Sequence, residues 1–257
     1  MALEVYDGQT VTQIGRLSLC YRVDVDPQTL VEAIHAGGEV LKRSSKSETR
    51  RVGGWAVKLS RIEGGLGPVK RTLARSRYRR AWIAANYLHT RGVCVPEPLA
   101  YGEWTSFGIV FGNAMVTQFL TGYINVEIYA AEVARESATH EAPALFFAGL
   151  ADAVNRLADA GAYHADLSGK NIFTRDGKDF YFIDLDGVVL GKRHSKTVRL
   201  KNHIQLYDSF CDFCDHDTLA RFHARMLPDS ENLERWMRAV VEGQKVRRRR
   251  HRNRQQG

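Results

Sequence analysis

The sequence lacks a long apolar run, a leader segment and a cysteine framework. No hydrophobic stretch approaches the roughly 20 residues that span a bilayer. The first ten residues, MALEVYDGQT, are polar and acidic, unlike the basic-then-apolar order of a signal peptide. Four unevenly spaced cysteines are too few for a disulfide framework. We therefore expect a cytoplasmic protein, and 257 residues suffice for one sizeable domain or two lobes.

Acidic residues are outnumbered, and the formal net charge is +8. Lysine and arginine crowd between Lys42 and Arg80 and again in the C-terminal string KVRRRRHRNRQQG. Such surfaces attract phosphate groups. We expect residues 245–257 to be a disordered basic tail. Two interpretations of it stay open: a solvated end, or peripheral contact with the anionic cytoplasmic face of an inner membrane.

One segment carries a recognisable chemical pattern, YHADLSGKNIFTRDGKDFYFIDLDG from Tyr163 to Gly187. It holds H-x-D-x-x-x-x-N followed by a short apolar strand and a second acidic cluster. Phosphoryl transfer needs a carboxylate that orients the substrate hydroxyl, plus a carboxylate and an amide oxygen that hold magnesium at the nucleotide phosphates. Asp166, Asn171 and Asp184 are the right groups, with Asp166 as the catalytic residue and the other two as metal ligands. A tight turn at Asp176-Gly177 would bring both ligands to one end of a hairpin.

Three neighbours of these residues also carry groups that could act in the site. We expect His164 to brace the loop by hydrogen bonds and not to transfer protons. Lys170 is a candidate catalytic residue that reaches the transferring phosphoryl group, or a surface lysine. Asp186 is either an extra metal ligand or a charge facing a helix.

A lysine for the nucleotide phosphates is expected on the third of three N-terminal strands, Glu39–Arg43, Thr49–Val52 and Trp55–Ile62. The string Trp55-Ala56-Val57-Lys58 fits the V-A-I-K pattern of kinases, which makes Lys58 the candidate.

The turn after the first of these strands lacks the glycines of a protein-kinase phosphate loop. It offers instead two hydroxyls and a cation, from Ser44, Ser45 and Lys46, as phosphate-binding groups.

The helix expected within residues 66–91 lacks any acidic residue. In protein kinases a glutamate on this helix pairs with the strand lysine. The aligned position here is Ala81, so the ion pair is either missing or made by a residue from elsewhere.

Further along, we predict strands Ser106–Phe111 and Ala114–Leu120 with a hairpin turn at Gly112-Asn113. Backbone at Gln118 to Leu120 would then meet the adenine edge of the nucleotide, so Gln118 and Leu120 are candidate cofactor-binding residues.

The rest of the chain is predicted to be mainly helical, with helices at Pro143–Ala160, Val198–Cys214, Thr218–Met226 and Glu231–Val241. Cys211 and Cys214 invite a zinc interpretation, but a second pair at metal-site spacing is missing from the sequence, and packing of both cysteines in a helical core is favoured.

The strings HADLSGKNI and IDLD, with SRYRRAW and VPEPLAYGE before them and RLKNHIQLYDSF after them, resemble the lipopolysaccharide kinase (Kdo/WaaP) family. The resemblance runs from about Glu39 to Phe213. It implies an ATP- and Mg²⁺-dependent bacterial kinase that phosphorylates a core sugar of lipopolysaccharide. The implied partner is that core glycolipid, and no nucleic acid is expected. Residue by residue, it makes Asp166 the catalytic aspartate, Asn171 and Asp184 the metal ligands, and Lys58 the phosphate-binding lysine.

The string HADLS also resembles RIO-type atypical kinases, so a RIO-like, small-molecule or protein kinase remains an alternative, as does a nucleotide-binding pseudokinase. Ala165 and the missing A-P-E string argue against regulation of the protein-kinase type. The expected fold is α+β, bilobal and protein-kinase-like. Its parts are a small antiparallel-sheet N-lobe at 1–120 and a mainly helical C-lobe at 121–244, ahead of the basic tail.

Overall fold

In the computed structural model, the residues described are 3–45, 47–60, 76–136, 141–191, 195–228 and 231–255. The chain divides into two compact units. The first comprises Met1–Thr90 and Val95–Thr121, and the second comprises Arg91–Cys94 and Gly122–Gly257.

The first unit is built on one antiparallel sheet, which has seven strands within the described ranges in the order β1-β2-β6-β7-β5-β4-β3. These strands are β1 (Gln9–Ile14), β2 (Leu17–Arg22), β3 (Glu39–Arg43), β4 (Ser47–Val52), β5 (Trp55–Ser60), β6 (Pro98–Ser106) and β7 (Ile109–Gln118). Helices α1 (Pro27–His35) and α2 (Arg77–His89) belong to the same unit. The predicted α+β class is confirmed, although the sheet is larger than the expected small one.

The core of the first unit forms where alternating strand residues meet α1. Leu19, Val57 and Val116 are fully buried there, as is Leu30 of the helix. Asp26 begins α1, because its carboxylate accepts a hydrogen bond from the Thr29 amide and Pro27 follows it at the first helical position.

The predicted turn at Gly112-Asn113 is wrong. Strands β6 and β7 pair from Pro98 to Gln118, and the chain reverses at Phe107-Gly108, where both residues have positive φ. Two successive positive φ angles give a type I′ turn, whose twist matches that of the flanking strands. Asn113 instead lies inside β7, fully buried, with its side-chain amide donating to the Tyr101 hydroxyl at 3.1 Å.

The second unit combines helices with short strand pairs. Its helices are α3 (Val126–Glu136), α4 (Glu141–Asp159), α5 (Lys196–Phe210), α6 (His216–Arg225) and α7 (Leu233–Gln255). Its strands are β8 (Ile124–Asn125), β9 (Ala162–His164), β10 (Ile172–Thr174), β11 (Tyr181–Phe182) and β12 (Val188–Leu190). Strand β10 pairs with β8 and β11, and β9 pairs with β12.

Aromatic rings fill the core of the second unit. Phe147 of α4 contacts Phe210 of α5 and Phe222 of α6, with ring centroids 5.2 Å apart in both pairs. None of the helices in the described ranges is long and apolar enough to cross a membrane.

The basic tail departs from expectation, because α7 continues to Gln255 and residues 245–255 are helical, not disordered. Two acidic residues, Asp208 near the end of α5 and Asp212 just after it, stabilise it. The Arg248 guanidinium donates to the carboxylate of Asp208 at 2.6 Å and to that of Asp212 at 2.8 and 2.9 Å.

Cys211 follows α5, and its sulfur accepts hydrogen bonds from Gln244 at 3.6 Å and Arg248 at 3.4 Å. This thiol therefore packs between two helices. At Cys214, burial raises the pKa of the thiol to about 12, which keeps it protonated and a poor metal ligand.

Candidate active site

The predicted hairpin between the two metal-ligand candidates is present as β10 and β11, with Ile172 opposite Phe182. Its turn lies at Asp176-Gly177, where Gly177 has φ of 74° and the Asp176 carboxylate accepts from the Lys178 amide at 3.0 Å. Beyond the strands, the Ile183 amide donates to the Asn171 carbonyl at 2.9 Å. Asn171 and Asp184 therefore leave the same end of the hairpin.

Asp166 and Asn171 are joined directly. The Asn171 side-chain amide donates to the Asp166 carbonyl at 2.9 Å and to Asp166 Oδ2 at 3.1 Å. Because both bonds use the NH₂ group, the Oδ1 atom of Asn171 is available to a cation. The Asp166 carboxylate remains exposed, as a group that receives a substrate hydroxyl must be.

His164 braces this loop, as expected. Its Nδ1 atom accepts from the Asp166 amide at 3.2 Å, so the proton lies on Nε2, which donates to the Ile183 carbonyl at 2.9 Å. Desolvation is the main cause that lowers the pKa of this buried histidine, so the ring is neutral. The ring thus ties the Asp166 loop to the strand end that precedes Asp184.

Helix α5 holds the same loop from the other side, a contribution that the sequence analysis missed. Asn202 donates to the His164 carbonyl and Gln205 to the Ala165 carbonyl, both at 2.9 Å. The Gln205 side-chain oxygen accepts from the Leu167 amide at 3.1 Å.

One turn further along α5, the Ser209 hydroxyl accepts from the Gly169 amide at 2.9 Å. Polar residues at i, i+3 and i+7 of α5 thus satisfy four backbone groups of this loop. That spacing, on a helix that directly follows the acidic cluster, was the available signal.

Asp184 has an unusual backbone, with φ of 57° and ψ of 48°, in the left-handed region. Aspartate and asparagine are the non-glycine residues that enter this region most readily. The residue is exposed, and a short 3-10 turn, Leu185–Gly187, follows it and carries Asp186. Strained backbone of this kind clusters at functional sites, where surrounding contacts enforce it.

Lys170 lies in the 3-10 turn Gly169–Asn171 with its side chain exposed, between the catalytic candidate and the metal-ligand candidates in the sequence. Gly169 is required here for space. A Cβ atom at this position would lie 2.6 Å from Glu127 Cγ and 3.2 Å from Ser209 Cβ.

The donor set fits magnesium. Within the described ranges no group of three or more His, Cys, Asp or Glu side chains could hold a metal ion. The candidate ligands are instead one asparagine oxygen, from Asn171, and the carboxylate of Asp184. Mg²⁺ prefers such hard oxygen ligands and keeps several waters, so that one or two protein ligands plus substrate phosphates suffice.

In the first unit, Lys58 lies in the middle of β5, opposite Thr49 of β4 and Met115 of β7. Its ammonium group lies 5.8 Å from the centre of the Tyr78 ring of α2, whose hydroxyl donates to the Leu59 carbonyl at 3.0 Å. The aromatic face thus contributes to the placing of the lysine.

Helix α2 brings no glutamate to the strand lysine, since its sequence has no acidic residue. The aligned residue, Ala81, is buried, and Arg79 is the buried charged residue of this helix. Among the described residues, the buried acids of the first unit lie on strands instead, Glu48 on β4 and Glu103 on β6. Glu103 of β6 accepts from the Tyr101 hydroxyl at 2.6 Å, and burial together with this carboxylate raises the pKa of Tyr101 far above its ordinary value.

The remaining nucleotide-side candidates also lie in the first unit. Ser44 closes the turn after β3, because its hydroxyl accepts from the Ser47 amide at 3.1 Å. Ser45 lies beside it in the turn, and Lys46 lies outside the described residues.

After β7, the Gln118 amide donates to the Glu97 carbonyl at 2.9 Å and the Phe119 amide to the Gly54 carbonyl at 2.8 Å. Leu120 follows these two anchored residues.

With the geometry in place, comparisons with known proteins decide the family. The model of the lipopolysaccharide kinase (Kdo/WaaP) family matches residues 41–227. The chain belongs to this family. The predicted family is therefore confirmed, and the chain is a phosphotransferase that acts on a hydroxyl group, as lipopolysaccharide kinases are.

Solved structures agree on the fold of this lipopolysaccharide kinase family member. WaaP in complex with acyl carrier protein is 22% identical with a TM-score of 0.62, over 86% of this chain and 91% of that chain. WbdD is 14% identical with a TM-score of 0.51, over 79% of this chain and 45% of that chain, so this chain spans less than half of WbdD. No curated protein sequence matches the chain.

Proposed function

We propose that the protein transfers the γ-phosphoryl group of ATP to a hydroxyl of a lipopolysaccharide core sugar, Kdo or heptose, in a Gram-negative bacterium. Asp166 orients and accepts the proton of the acceptor hydroxyl. Asn171 Oδ1 and the Asp184 carboxylate hold Mg²⁺, which when bound neutralises charge on the nucleotide phosphates. Lys170 stabilises the transferring group, and Lys58, Ser44, Ser45 and Lys46 bind phosphates.

The observation that carries this proposal is the hydrogen-bonded end of the β10–β11 hairpin. The bond from Ile183 to Asn171 and the bonds from Asn171 to Asp166 link the predicted base and the predicted metal ligands into one rigid loop. Phosphoryl transfer depends chiefly on positioning and on charge stabilisation, and the bonds among these residues support the proposal that they position the reacting groups. At the nucleotide side, we assign the adenine contact to the backbone around Gln118 and Leu120.

The test is a coupled ATP-turnover assay with purified lipopolysaccharide core oligosaccharide as acceptor. We expect Asp166→Ala to lower kcat by about 10²- to 10⁴-fold while nucleotide affinity is kept. Asn171→Ala should raise the magnesium concentration needed for half-maximal rate. Normal sugar phosphorylation by Asp166→Ala would refute the role of Asp166 as the catalytic residue. Nucleotide binding by the wild type without turnover on any acceptor would indicate a pseudokinase.

For location, we propose peripheral contact with the anionic cytoplasmic face of the inner membrane through α7, where Arg249, Arg250 and Arg252 are exposed. Changing these three to glutamine leaves Arg247 and Arg248 in place and should abolish salt-sensitive binding to anionic vesicles. Unchanged vesicle binding would refute the contact.

A further inference from the structure

Helix α7 brings a cation to the catalytic carboxylate. Arg247 Nη2 lies 3.9 Å from Asp166 Oδ1, and its side chain is 29% exposed. The residue belongs to the C-terminal basic segment, far from the catalytic motif in sequence.

The position of Arg247 is fixed by close packing of α7 on α5. A Cβ atom at Gly243 would lie 2.2 Å from Ile204 Cδ1, so glycine lets the two helices meet closely. Beside it, buried Gln244 donates to Asp208 Oδ1 at 3.0 Å. Near the start of α7, the Trp236 indole donates to His203 at 3.0 Å.

Asp208 then directs the arginine. Its Oδ2 atom accepts from Arg247 Nε at 3.2 Å, which points the rest of the guanidinium toward Asp166. The 3.9 Å separation exceeds hydrogen-bond length, so the arginine is near Asp166 without capping its carboxylate. Among the described residues the two Nη groups have no hydrogen-bond acceptor, which leaves a fork of donors at the place where the acceptor hydroxyl must come.

We propose that Arg247 determines acceptor specificity by binding an anionic group, a phosphate or a carboxylate, carried by the sugar whose hydroxyl Asp166 orients. The inference rests on the proposed function and deepens it. Arginine suits this role because its planar fork binds either anion through two parallel hydrogen bonds.

The experiment compares Arg247→Gln with the wild type on three acceptors: core oligosaccharide, the same oligosaccharide after removal of its phosphates, and the same after reduction of its carboxyl groups. We expect kcat/KM for the native acceptor to fall by about 10- to 100-fold, mainly through KM, with the KM for ATP unchanged. The rate on whichever acceptor lacks the recognised anion should be already low in the wild type and unaffected by the substitution. The arm that shows this behaviour identifies phosphate or carboxylate.

Arg235→Gln is the matched control, because Arg235 is exposed on the same helix and lies outside the proposed membrane contact. Arg247→Lys keeps the charge but loses the fork, and should recover only part of the native-acceptor rate. It also serves as the second variant if Arg247→Gln fails to fold. Equal losses on all three acceptors, or losses equal to those of Arg235→Gln, would overturn the role of Arg247.

Equilibrium binding of the native oligosaccharide to the nucleotide-free protein needs no turnover and separates this inference from the proposed function. Weaker binding by Arg247→Gln than by the wild type supports the anion site even without kinase activity. Unchanged binding refutes it. A wild type that binds the oligosaccharide without phosphorylating it would refute only the proposed function.

Discussion

Gln205 is the position where loss of one side chain should damage both stability and turnover. It is 3% exposed, and its amide makes four hydrogen bonds: to the Leu167 amide, the Ala165 carbonyl, Asp166 Oδ1 and the Asn202 side chain. Gln205→Met conserves the shape of the side chain and removes all four.

The cost follows from what remains buried. Leu167 is 1% exposed, so its amide is buried, and leaving this amide without its acceptor costs about 1–3 kcal/mol. The half-buried Ala165 carbonyl can recruit water and adds about 0.5–1.5 kcal/mol. The total, about 1.5–4.5 kcal/mol, corresponds to a fall in Tm of roughly 3–18 °C for a chain of this size.

Turnover should fall as well, by about 10- to 100-fold in kcat, because the loop that carries Asp166 loses an anchor while the nucleotide side in the other unit is untouched. Thermal melting and steady-state kinetics check both effects. Thr197→Met, exposed in the first turn of the same helix, is the control. If Gln205→Met melts and turns over like that control, the bracing role of α5 is wrong.

Three further predictions concern pH and space. Burial lowers the folded-state pKa of three histidines, His164, His203 and His223. At His203 the pKa falls to about 3. Because their unfolded pKa is near 6.5, the free energy of unfolding should be full above that pH and fall below it, by about 1.4 kcal/mol per pH unit for each of His203 and His223, with His164 adding in the same direction; urea titrations from pH 7 to 5 measure this, and a flat profile would contradict it. The exposed-site variant His89→Gln should keep the wild-type slope. Gly169→Ala should destabilise by about 1–3 kcal/mol and lower kcat, since its Cβ meets Glu127 and Ser209, whereas Gly37→Ala, with open space around it, should do neither. Gly243→Ala should separate α7 from α5 and expose amides 243–255 to hydrogen exchange, with Ile204→Val in the same chain restoring part of the protection; unchanged exchange would show that the helices have room to spare.

The catalytic hairpin was predictable because its information is local. The spacing of His164, Asp166 and Asn171, an Asp-Gly turn and a short apolar strand specify the hairpin, and the bracing histidine is confirmed by two hydrogen bonds. A buried histidine needs hydrogen-bond partners, and His164 finds both of them in the same segment, at the Asp166 amide and the Ile183 carbonyl.

The errors arose where tertiary context overrides local pattern. Gly112-Asn113 has the composition of a hairpin turn, but burial of Asn113 against Tyr101 keeps it in a strand, and the reversal moves to Phe107-Gly108. The basic segment 245–255 reads as a solvated tail by composition alone. The matching acids, Asp208 near the end of α5 and Asp212 just after it, are the signal that it docks as a helix.

The polar face of α5 was missed for a related reason. Amide and hydroxyl side chains on a helix are ordinarily assigned to solvent, whereas Asn202 and Gln205 are buried because the loop beside them carries backbone groups that no strand satisfies.

The left-handed backbone of Asp184 bears on how an inactive protein should be made. Alanine there would remove a metal ligand and also place an unsuited residue at φ of 57°, at a cost of about 1–2 kcal/mol, so lost activity would mix two causes. Asparagine tolerates the same backbone and changes chiefly the charge. Asp184→Asn is therefore the substitution that keeps the loop shape while it weakens binding of the cation. It is the inactive form best suited to trapping nucleotide and acceptor together.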